Sequence, residues 1–185
     1  MIVIKTASIK AACLLASTKD IRYYLNGVQI LIRDTGKVHV RSSDGHMVFD
    51  DLMDEESRDG MLDIIIPIEA ATLIGKSKSQ FVAITKINET QYECEGRLFK
   101  PIDGKFPDCD RVIPERDSQF DDVAGQQYDA MLLATCLKAM RIATGNSKAF
   151  FRLQNSPCGL MYRENDTYPR CGIVPLNIKA AFVGN

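Results

Sequence analysis

The order of the predicted elements constrains the fold most, because a strand, a short helix and further strands follow one another three times along the chain. Apolar residues at helical spacing predict helices over 8–18, 68–74 and 128–143. Alternating or β-branched runs bounded by turn residues predict the strands. These runs lie at 1–5, 23–33, 37–41, 47–49, 61–66, 81–87, 92–100, 119–123, 149–154, 159–163 and, as a final apolar segment, 172–178.

Three short helices cannot cover both faces of so many strands. We therefore predict an α+β fold of three βαβββ-like units, with antiparallel sheets and the helices confined to one face. Sequence identity between the units is weak, so this prediction depends on element order. The acidic segment 50–60 contains little that could pack, and we expect it to be a surface loop.

The segment 103–114, which we call the strap, stands between the second and third units. Gly104 permits a tight bend, and Pro107 and Pro114 each favour an extended conformation in the residue before them. Apolar and charged side chains are mixed there, unlike in a flexible Gly/Ser-rich linker. We predict that the strap is a stiff joint between two lobes, residues 1–115 with two units and residues 116–185 with one.

Composition and motifs argue against several classes of function. Six cysteines without a CxxC pair and only two histidines offer no metal-site spacing, and no Gly-rich phosphate loop occurs. Asp44 and His46 could form an acid–base pair, but Asp44 followed by Gly45 is better explained as a turn. The acidic cluster at 50–56 lacks the spacing of a calcium loop. We therefore predict that the protein is not an enzyme and uses no cofactor or metal.

The chain contains no apolar run near the ~20 residues that a membrane-spanning helix requires, and its N-terminus does not resemble a signal peptide. We expect a cytoplasmic protein without membrane contact. Its formal net charge of −1 provides no overall basic field. DNA would therefore have to bind a local basic surface.

Basic side chains near the three helices could provide such a surface. They lie opposite or just past the apolar helix faces, where they could equally be ordinary solvated residues of amphipathic helices. If the helices share one sheet face, the charges together suit sequence-independent contact with the phosphates of duplex DNA. The predicted DNA-facing residues are Lys10, Lys19, Arg22, Lys76, Lys78, Lys138 and Arg141.

Five segments carry a resemblance to a known family. They are 20–27, the turn 43–46, the strand end 65–67 and, within the strap, 103–108 and 111–114. In this order and spacing they resemble the second domain and the following strap of bacterial β sliding clamps, the processivity subunit of DNA polymerase III. The tail, 168–178, resembles the apolar C-terminal segment of that family. Clamps of this family have three two-unit domains, so the chain resembles one and a half of them, without the first.

The resemblance implies an apolar groove for short linear peptides with Leu and Phe anchors. Its walls would come from the first domain, the strap and the tail. Two positions depart from the family pattern, since Met47 replaces a basic residue and Cys109 replaces an aromatic one. The implied groove residues are Leu25, Ser43, Gly45, His46, Met47, Val48, Pro107, Arg111, Val112, Val174, Pro175, Leu176 and Ile178.

The resemblance also implies an assembly. In the family that this chain resembles, a ring of twelve βαβββ units encloses duplex DNA. With three units per chain, the resemblance implies a homo-oligomeric ring of four chains. The implied partners are duplex DNA, a DNA polymerase and other proteins that carry clamp-binding peptides, with a clamp loader as a further candidate. The alternative is a clamp-like adaptor that binds such peptides without encircling DNA.

Overall fold

A computed structural model describes residues 1–56, 60–113, 128–146, 150–152, 159–163 and 166–174. The α-helices in these ranges are α1 (Thr6–Leu15), α2 (Ile68–Ile74) and α3 (Ala130–Thr144), and the 3-10 helices are Tyr23–Leu25 and Cys109–Arg111. The strands are β1 (Ile2–Lys5), β2 (Gly27–Ile32), β3 (Lys37–Ser43), β4 (Met47–Glu56), β5 (Leu62–Pro67), β6 (Phe81–Lys86), β7 (Tyr92–Cys94), β8 (Arg97–Phe99), β9 (Phe150–Arg152), β10 (Gly159–Arg163) and β11 (Asp166–Ile173).

The strands form two antiparallel sheets, one in the order β1-β6-β7-β8 and one in the order β5-β2-β3-β4-β11-β10-β9. We call β1–β4 with α1 the first unit, β5–β8 with α2 the second unit, and α3 with β9–β11 the third unit. The first two units exchange their first strands, because β1 pairs with β6 and β5 pairs with β2. The third unit joins the larger sheet through β11, which pairs with β4. One sheet therefore connects the chain before the strap to the chain after it.

The helices lie on one face of the seven-stranded sheet, where α1 packs against both α2 and α3. Asp129 caps the start of α3, since its carboxylate accepts hydrogen bonds from the backbone N–H groups of Met131 and Leu132. Gly145 ends α3 in the left-handed conformation. Every second strand residue faces these helices and joins one hydrophobic core. Fully buried members of this core include Ile4, Ile9, Leu15, Ile30, Phe49, Ile74 and Ile84.

The strap crosses the opposite face of the seven-stranded sheet. Just before the strap, the chain is held at the β5 edge, where the N–H of Ile102 donates to the carbonyl of Ile65 at 2.9 Å. Within the strap, three buried residues enter a second hydrophobic cluster with sheet residues of all three units. The strap members of this cluster are Phe106, Cys109 and Ile113, and the sheet members include Val48, Ile65, Leu160 and Tyr162.

The structure confirms the predicted α+β class, with antiparallel sheets and the helices on one face. The predicted helix at 68–74 agrees with α2 residue for residue, whereas α1 begins two residues earlier than predicted, at Thr6. The strand predicted at 92–100 is instead a hairpin, because Glu95 and Gly96 both adopt positive φ and form a two-residue turn. The predicted strand at 119–123 lies outside the described residues.

The prediction of a surface loop at 50–60 is wrong for its first part. Residues 50–56 continue β4, and both Asp50 and Asp51 are buried. The alternation of Met47, Phe49 and Met53 on the helix side is the signal for this longer strand. Two adjacent aspartates obscured it, since buried carboxylates are rare unless their charges are paired or neutralised.

Candidate functional site

A cavity of about 200 Å³ opens on the strap side of the seven-stranded sheet. It lies where β3, β4 and β11 end beside the strap, and its wall combines apolar side chains with few polar groups. Such a shape suits a short apolar segment of a ligand or partner. The lining residues are Arg22, Tyr24, Leu25, Ser43, Gly45, His46, Val48, Pro107, Cys109, Val112, Gly172 and Val174. We call this cavity the groove.

One wall of the groove is the tight turn between β3 and β4. The carboxylate of Asp44 accepts hydrogen bonds from the N–H groups of His46 and Met47, at 2.8 and 2.7 Å. Gly45 has a φ of +89°, and a Cβ there would lie 2.4 Å from the guanidinium of Arg22. This backbone angle favours glycine, and a side chain at this position would also displace the Arg22 guanidinium. Asp44 therefore shapes a turn, and the structure provides no acid–base pairing of Asp44 with His46.

The strap forms the facing wall. Asp108 starts the 3-10 helix Cys109–Arg111, since its side chain accepts from the N–H of Asp110 at 3.2 Å. Burial raises the pKa of the Cys109 thiol to about 12, so this thiol is neutral and adds an apolar surface to the groove. Phe106 and Ile113 are buried beneath the strap, which leaves Pro107 exposed and Val112 half-buried at the groove.

A third wall comes from the end of β11. The N–H of Val174 donates to the carbonyl of His46 at 2.9 Å, which holds the two chain segments together at the groove edge. Gly172 lies opposite Val48 in the β4–β11 register, and both residues line the groove. The groove therefore depends on the pairing of the first unit with the third.

Arg22 is the permanent cation among the lining residues. Its guanidinium makes a double contact with the carboxylate of Asp20, through Nε at 3.0 Å and Nη2 at 2.8 Å. This hydrogen bonding lowers the pKa of Asp20 to about 2, so the pair is charged throughout the physiological range. Arg22 thus offers a fixed polar group at the mouth of an otherwise apolar groove.

A buried ion network holds the strap in place beside the groove. Asp50 is fully buried and contacts Arg41 at 2.9 Å and Arg170 at 2.8 Å, while Asp110 of the strap contacts the same two arginines at 2.8 and 3.0 Å. Arg33 makes a further hydrogen bond to Asp110. The network therefore connects β3, β4, β11 and the strap, and it orients the 3-10 helix that precedes Val112.

The network also determines two protonation states. Burial by itself would raise the pKa of Asp50, but the hydrogen bond with His39 and the charge of Arg41 outweigh it and hold that pKa well below its usual value. Burial acts in the same way on Asp110, where the hydrogen bond from Arg33 and the charge of Arg41 lower the pKa overall. Both carboxylates are therefore ionised at neutral pH.

The structure brings together most of the predicted groove residues that it describes. Leu25, Ser43, Gly45, His46, Val48, Pro107, Val112 and Val174 all line the groove. Met47 does not, because it precedes Val48 on the strand and faces the helix-side core at 4% exposure. Pro175, Leu176 and Ile178 lie outside the described residues. The peptide-binding role of the groove residues stays a prediction.

Two basic residues lie elsewhere than predicted. Arg111 does not line the groove; its exposed side chain contacts Asp108 at 3.5 Å and borders a separate cavity of about 340 Å³. Arg22, predicted to face DNA, lines the groove instead. Sequence reasoning also missed Tyr24 and Gly172 as lining residues, and it named Cys109 only as a departure from the family pattern. A signal for Gly172 was available, since strand alternation places it on the face opposite Cys171.

The remaining predicted basic residues are exposed. Lys10 lies on α1, and Lys138 and Arg141 lie on α3, while Lys76 and Lys78 follow α2 and Lys19 follows α1. The three helices contain a single carboxylate, Glu69 of α2. The helix layer therefore carries an excess of positive charge on a chain whose formal net charge is −1.

In the part of the chain that the structure describes, no group of three or more His, Cys, Asp or Glu side chains is arranged to hold a metal ion. None of the helices described there is long and apolar enough to cross a membrane.

Comparison with solved structures identifies the fold. The chain resembles the DNA polymerase III subunit beta of Pseudomonas aeruginosa with a TM-score of 0.75 and 16% identity, covering 95% of this chain and 65% of that one. The DNA polymerase III subunit beta of Borrelia burgdorferi gives a TM-score of 0.74 and 13% identity, covering 96% of this chain and 64% of that one. The DNA polymerase sliding clamp of Bacillus subtilis gives a TM-score of 0.70 and 15% identity, covering 95% of this chain and 64% of that one.

The chain therefore has the fold of DNA sliding clamps, and it spans about 65% of the length of the bacterial beta subunit from Pseudomonas aeruginosa. No family model matches the sequence, and no curated protein matches it. Among the similar structures, a sliding clamp of Pseudomonas aeruginosa was solved bound to griselimycin, and the DNA polymerase III subunit beta of Borrelia burgdorferi was solved in complex with a natural product.

Proposed function

We propose that this chain is a DNA sliding clamp subunit, which assembles with copies of itself into a ring around duplex DNA and holds a DNA polymerase through the groove. The observation that carries the proposal is the groove, which eight of the residues implied by the clamp resemblance line together. A clamp has no chemical step to perform. What it needs is a binding site for a partner and a surface that tolerates any DNA sequence.

The groove supports peptide binding of a particular kind. Val48, Val112 and Val174 provide apolar contact for Leu or Phe side chains, and Arg22 provides a charged group at the rim. The N–H groups of Gly45 and His46 donate to the side chains of Ser43 and Asp44, and the His46 carbonyl accepts from Val174. With these groups engaged, specificity would come from the shape of the apolar walls. A short linear peptide with Leu and Phe anchors fits these features.

The helix layer supports DNA binding without sequence preference. Contacts from lysine and arginine side chains to phosphates carry no sequence information. Lys10, Lys138 and Arg141 are exposed, and neither α1 nor α3 contains a carboxylate that would offset them.

Peptide binding is tested with a fluorescently labelled short peptide carrying Leu and Phe. Val174 is half-buried at the groove edge, so Val174→Asp should weaken binding at least tenfold by placing an unpaired charge against the apolar ligand. Arg111→Ala is the control, since Arg111 lies outside the groove. The peptide affinity of this variant should stay within about twofold of that of the native chain. Equal binding by Val174→Asp and the native chain would overturn the groove assignment.

Encircling is tested separately by assembling dilute chains in the presence of nicked circular DNA and following them by gel filtration. A ring should stay with the circle and leave once the DNA is cut to a linear form. The adaptor alternative is favoured by the fact that one chain forms the groove without a partner. Peptide binding without any preference for circular DNA would select that alternative.

A further inference from the structure

The first two units differ at their last strands, β4 and β8, although they have the same element order. The free side of β4 is covered by β11 of the third unit, with four residue pairs in register. In contrast, β8 is the edge of the four-stranded sheet, and no strand of the described chain pairs with its outer side. An open edge of this kind can pair with another strand.

Equivalent side chains record the consequence of this difference. Phe49 of β4 and Phe99 of β8 both face the helix-side core, at 0% and 7% exposure. Their preceding neighbours face the other side. Val48 is 7% exposed because Gly172 and the second hydrophobic cluster, which includes the buried strap residues, cover it, whereas Leu98 is 63% exposed. The exposed Leu98 of the second unit therefore occupies the position at which the first unit has the buried Val48.

The helices show the same contrast. Ala11 and Leu73 are each the sixth residue of their helices, α1 and α2. Ala11 is fully buried in the helix layer, where α1 packs against both α2 and α3, but Leu73 is 43% exposed. An exposed surface that could pack against a neighbouring unit thus extends from β8 to α2, with the apolar side chain of Leu98 on β8 and that of Leu73 on α2.

We propose that β8 and α2 form a two-fold symmetric contact with β8 and α2 of a second copy of this chain. The β4–β11 junction shows how two last strands of this fold pair, antiparallel and with their helices packed side by side. Both of those strands are already engaged within the chain. Of the last strands of the three units, only β8 has an outer side with which no strand of the described chain pairs. The matching partner is therefore β8 of another copy. This inference deepens the proposed ring by naming one of its subunit contacts.

Charge selects the register of the contact. With Leu98 opposite Leu98 of the second copy, each Arg97 lies opposite Phe99, a pairing that allows contact between the guanidinium and the aromatic ring. Helices on the same side require residues of the same face to lie opposite each other. The neighbouring registers of this kind place Arg97 opposite Arg97, where like charges destabilise the strand pair, or Phe99 opposite Phe99, which sets the exposed Leu98 against Lys100. The two-fold axis therefore passes beside Leu98.

A residue beside a two-fold axis meets its own copy, which provides a specific test. Leu98→Cys should form a covalent dimer on mild oxidation, because cysteines directly opposite in an antiparallel pair come within disulfide range. The native chain and Thr90→Cys, in the exposed turn between β6 and β7, are oxidised in parallel and should remain uncross-linked. Leu98→Lys should lower the oligomer mass measured by light scattering, while Ile87→Lys, which changes a 52% exposed apolar residue elsewhere, should not.

The outcomes separate this contact from the proposed ring. An oligomer that is unchanged by Leu98→Lys, with no cross-link through Leu98→Cys, overturns the β8 contact and leaves the ring proposal standing. An oligomer that depends on Leu98 but shows no preference for circular DNA supports the contact and overturns encircling. A native chain that is monomeric at micromolar concentration overturns both, whereas peptide binding by Val48, Val112 and Val174 is measured independently.

Discussion

Asp51 lies beneath α1, on the helix side of β4, and it is 5% exposed. The hydroxyl of Ser8 donates a hydrogen bond to its carboxylate. Burial raises the pKa of Asp51 to about 6, and the Ser8 hydrogen bond offsets only part of that effect. Asp51 thus differs from its neighbour Asp50, whose pKa is held low by His39 and Arg41 on the opposite face.

This contrast predicts how stability depends on pH. Between about pH 4 and pH 6 the folded chain keeps the Asp51 proton that the unfolded chain releases, so the contribution of Asp51 is present at low pH and is lost as the pH rises through 6. Compared with Asp51→Asn, the native chain should lose roughly 3 kcal/mol of unfolding free energy between pH 4 and pH 7. Urea unfolding at both pH values measures this difference.

Glu69→Gln serves as the control for that experiment, because Glu69 is exposed on α2 and its substitution should leave the pH profile of the native chain unchanged. Parallel profiles for the native chain and Asp51→Asn would contradict the assignment. Asp50 and Asp110 act in the opposite sense, since their lowered pKa values contribute stability that is lost only as the pH falls below about 4.

At the scale of elements, the strap and the helices occupy opposite faces of the same sheet. The strap brings Pro107 and Val112 to the groove, and the buried arginine–aspartate network fastens it there. The helix layer carries exposed basic residues, among them Lys10, Lys138 and Arg141. The surfaces that we propose for peptide binding and for DNA binding therefore lie on separate faces, and we expect that each can be altered without disturbing the other.

Reversing charges in the helix layer tests this separation. Lys10→Glu combined with Lys138→Glu should weaken DNA binding and reduce the slope of log affinity against log salt concentration by about 2, since each lost phosphate contact contributes about 0.9. Peptide affinity should stay unchanged. A filter-binding or anisotropy titration at several salt concentrations provides the measurement.

The matched control reverses two charges on the strap side, Lys37→Glu combined with Lys105→Glu. Both residues are exposed, so folding should be retained, and the net charge change equals that of the helix variant. If the control reduced DNA binding as much as the helix variant, then net charge and not the helix layer would carry the DNA contact.

At the scale of the whole molecule, the described chain presents its units in the spatial order second, first, third, because β11 of the third unit pairs with β4 of the first. A two-fold contact at β8 can join only two chains. Closing a ring therefore requires a second contact at the other end of this row, since combining two different two-fold contacts produces closed assemblies of even number.

A ring of twelve units predicts a native mass of four times the chain mass of 20.6 kDa. Light scattering at micromolar concentration should find this mass, and Leu98→Lys should reduce it to that of two chains held by the second contact. A three-chain or five-chain mass would contradict a ring built from two-fold contacts.

Local patterns in the sequence determined which elements form. The helix at 68–74, the turn at 43–46 and the strap were predicted from apolar periodicity, from Asp-Gly chemistry and from proline placement, all of which act over a few residues. The resemblance to clamps added the groove residues, and the structure brings eight of them together.

Tertiary structure alone decided which face each residue occupies and what covers it. Met47 and Val48 are neighbours of similar hydrophobicity, and only the position of β4 between the helices and the strap places one in the core and the other at the groove. Asp50 is buried because Arg170 lies beside it, although 120 residues separate them in the chain. Alternation along a strand follows from the local backbone, but the choice of face and the pairing of buried charges depend on contacts between distant segments, which no local pattern encodes.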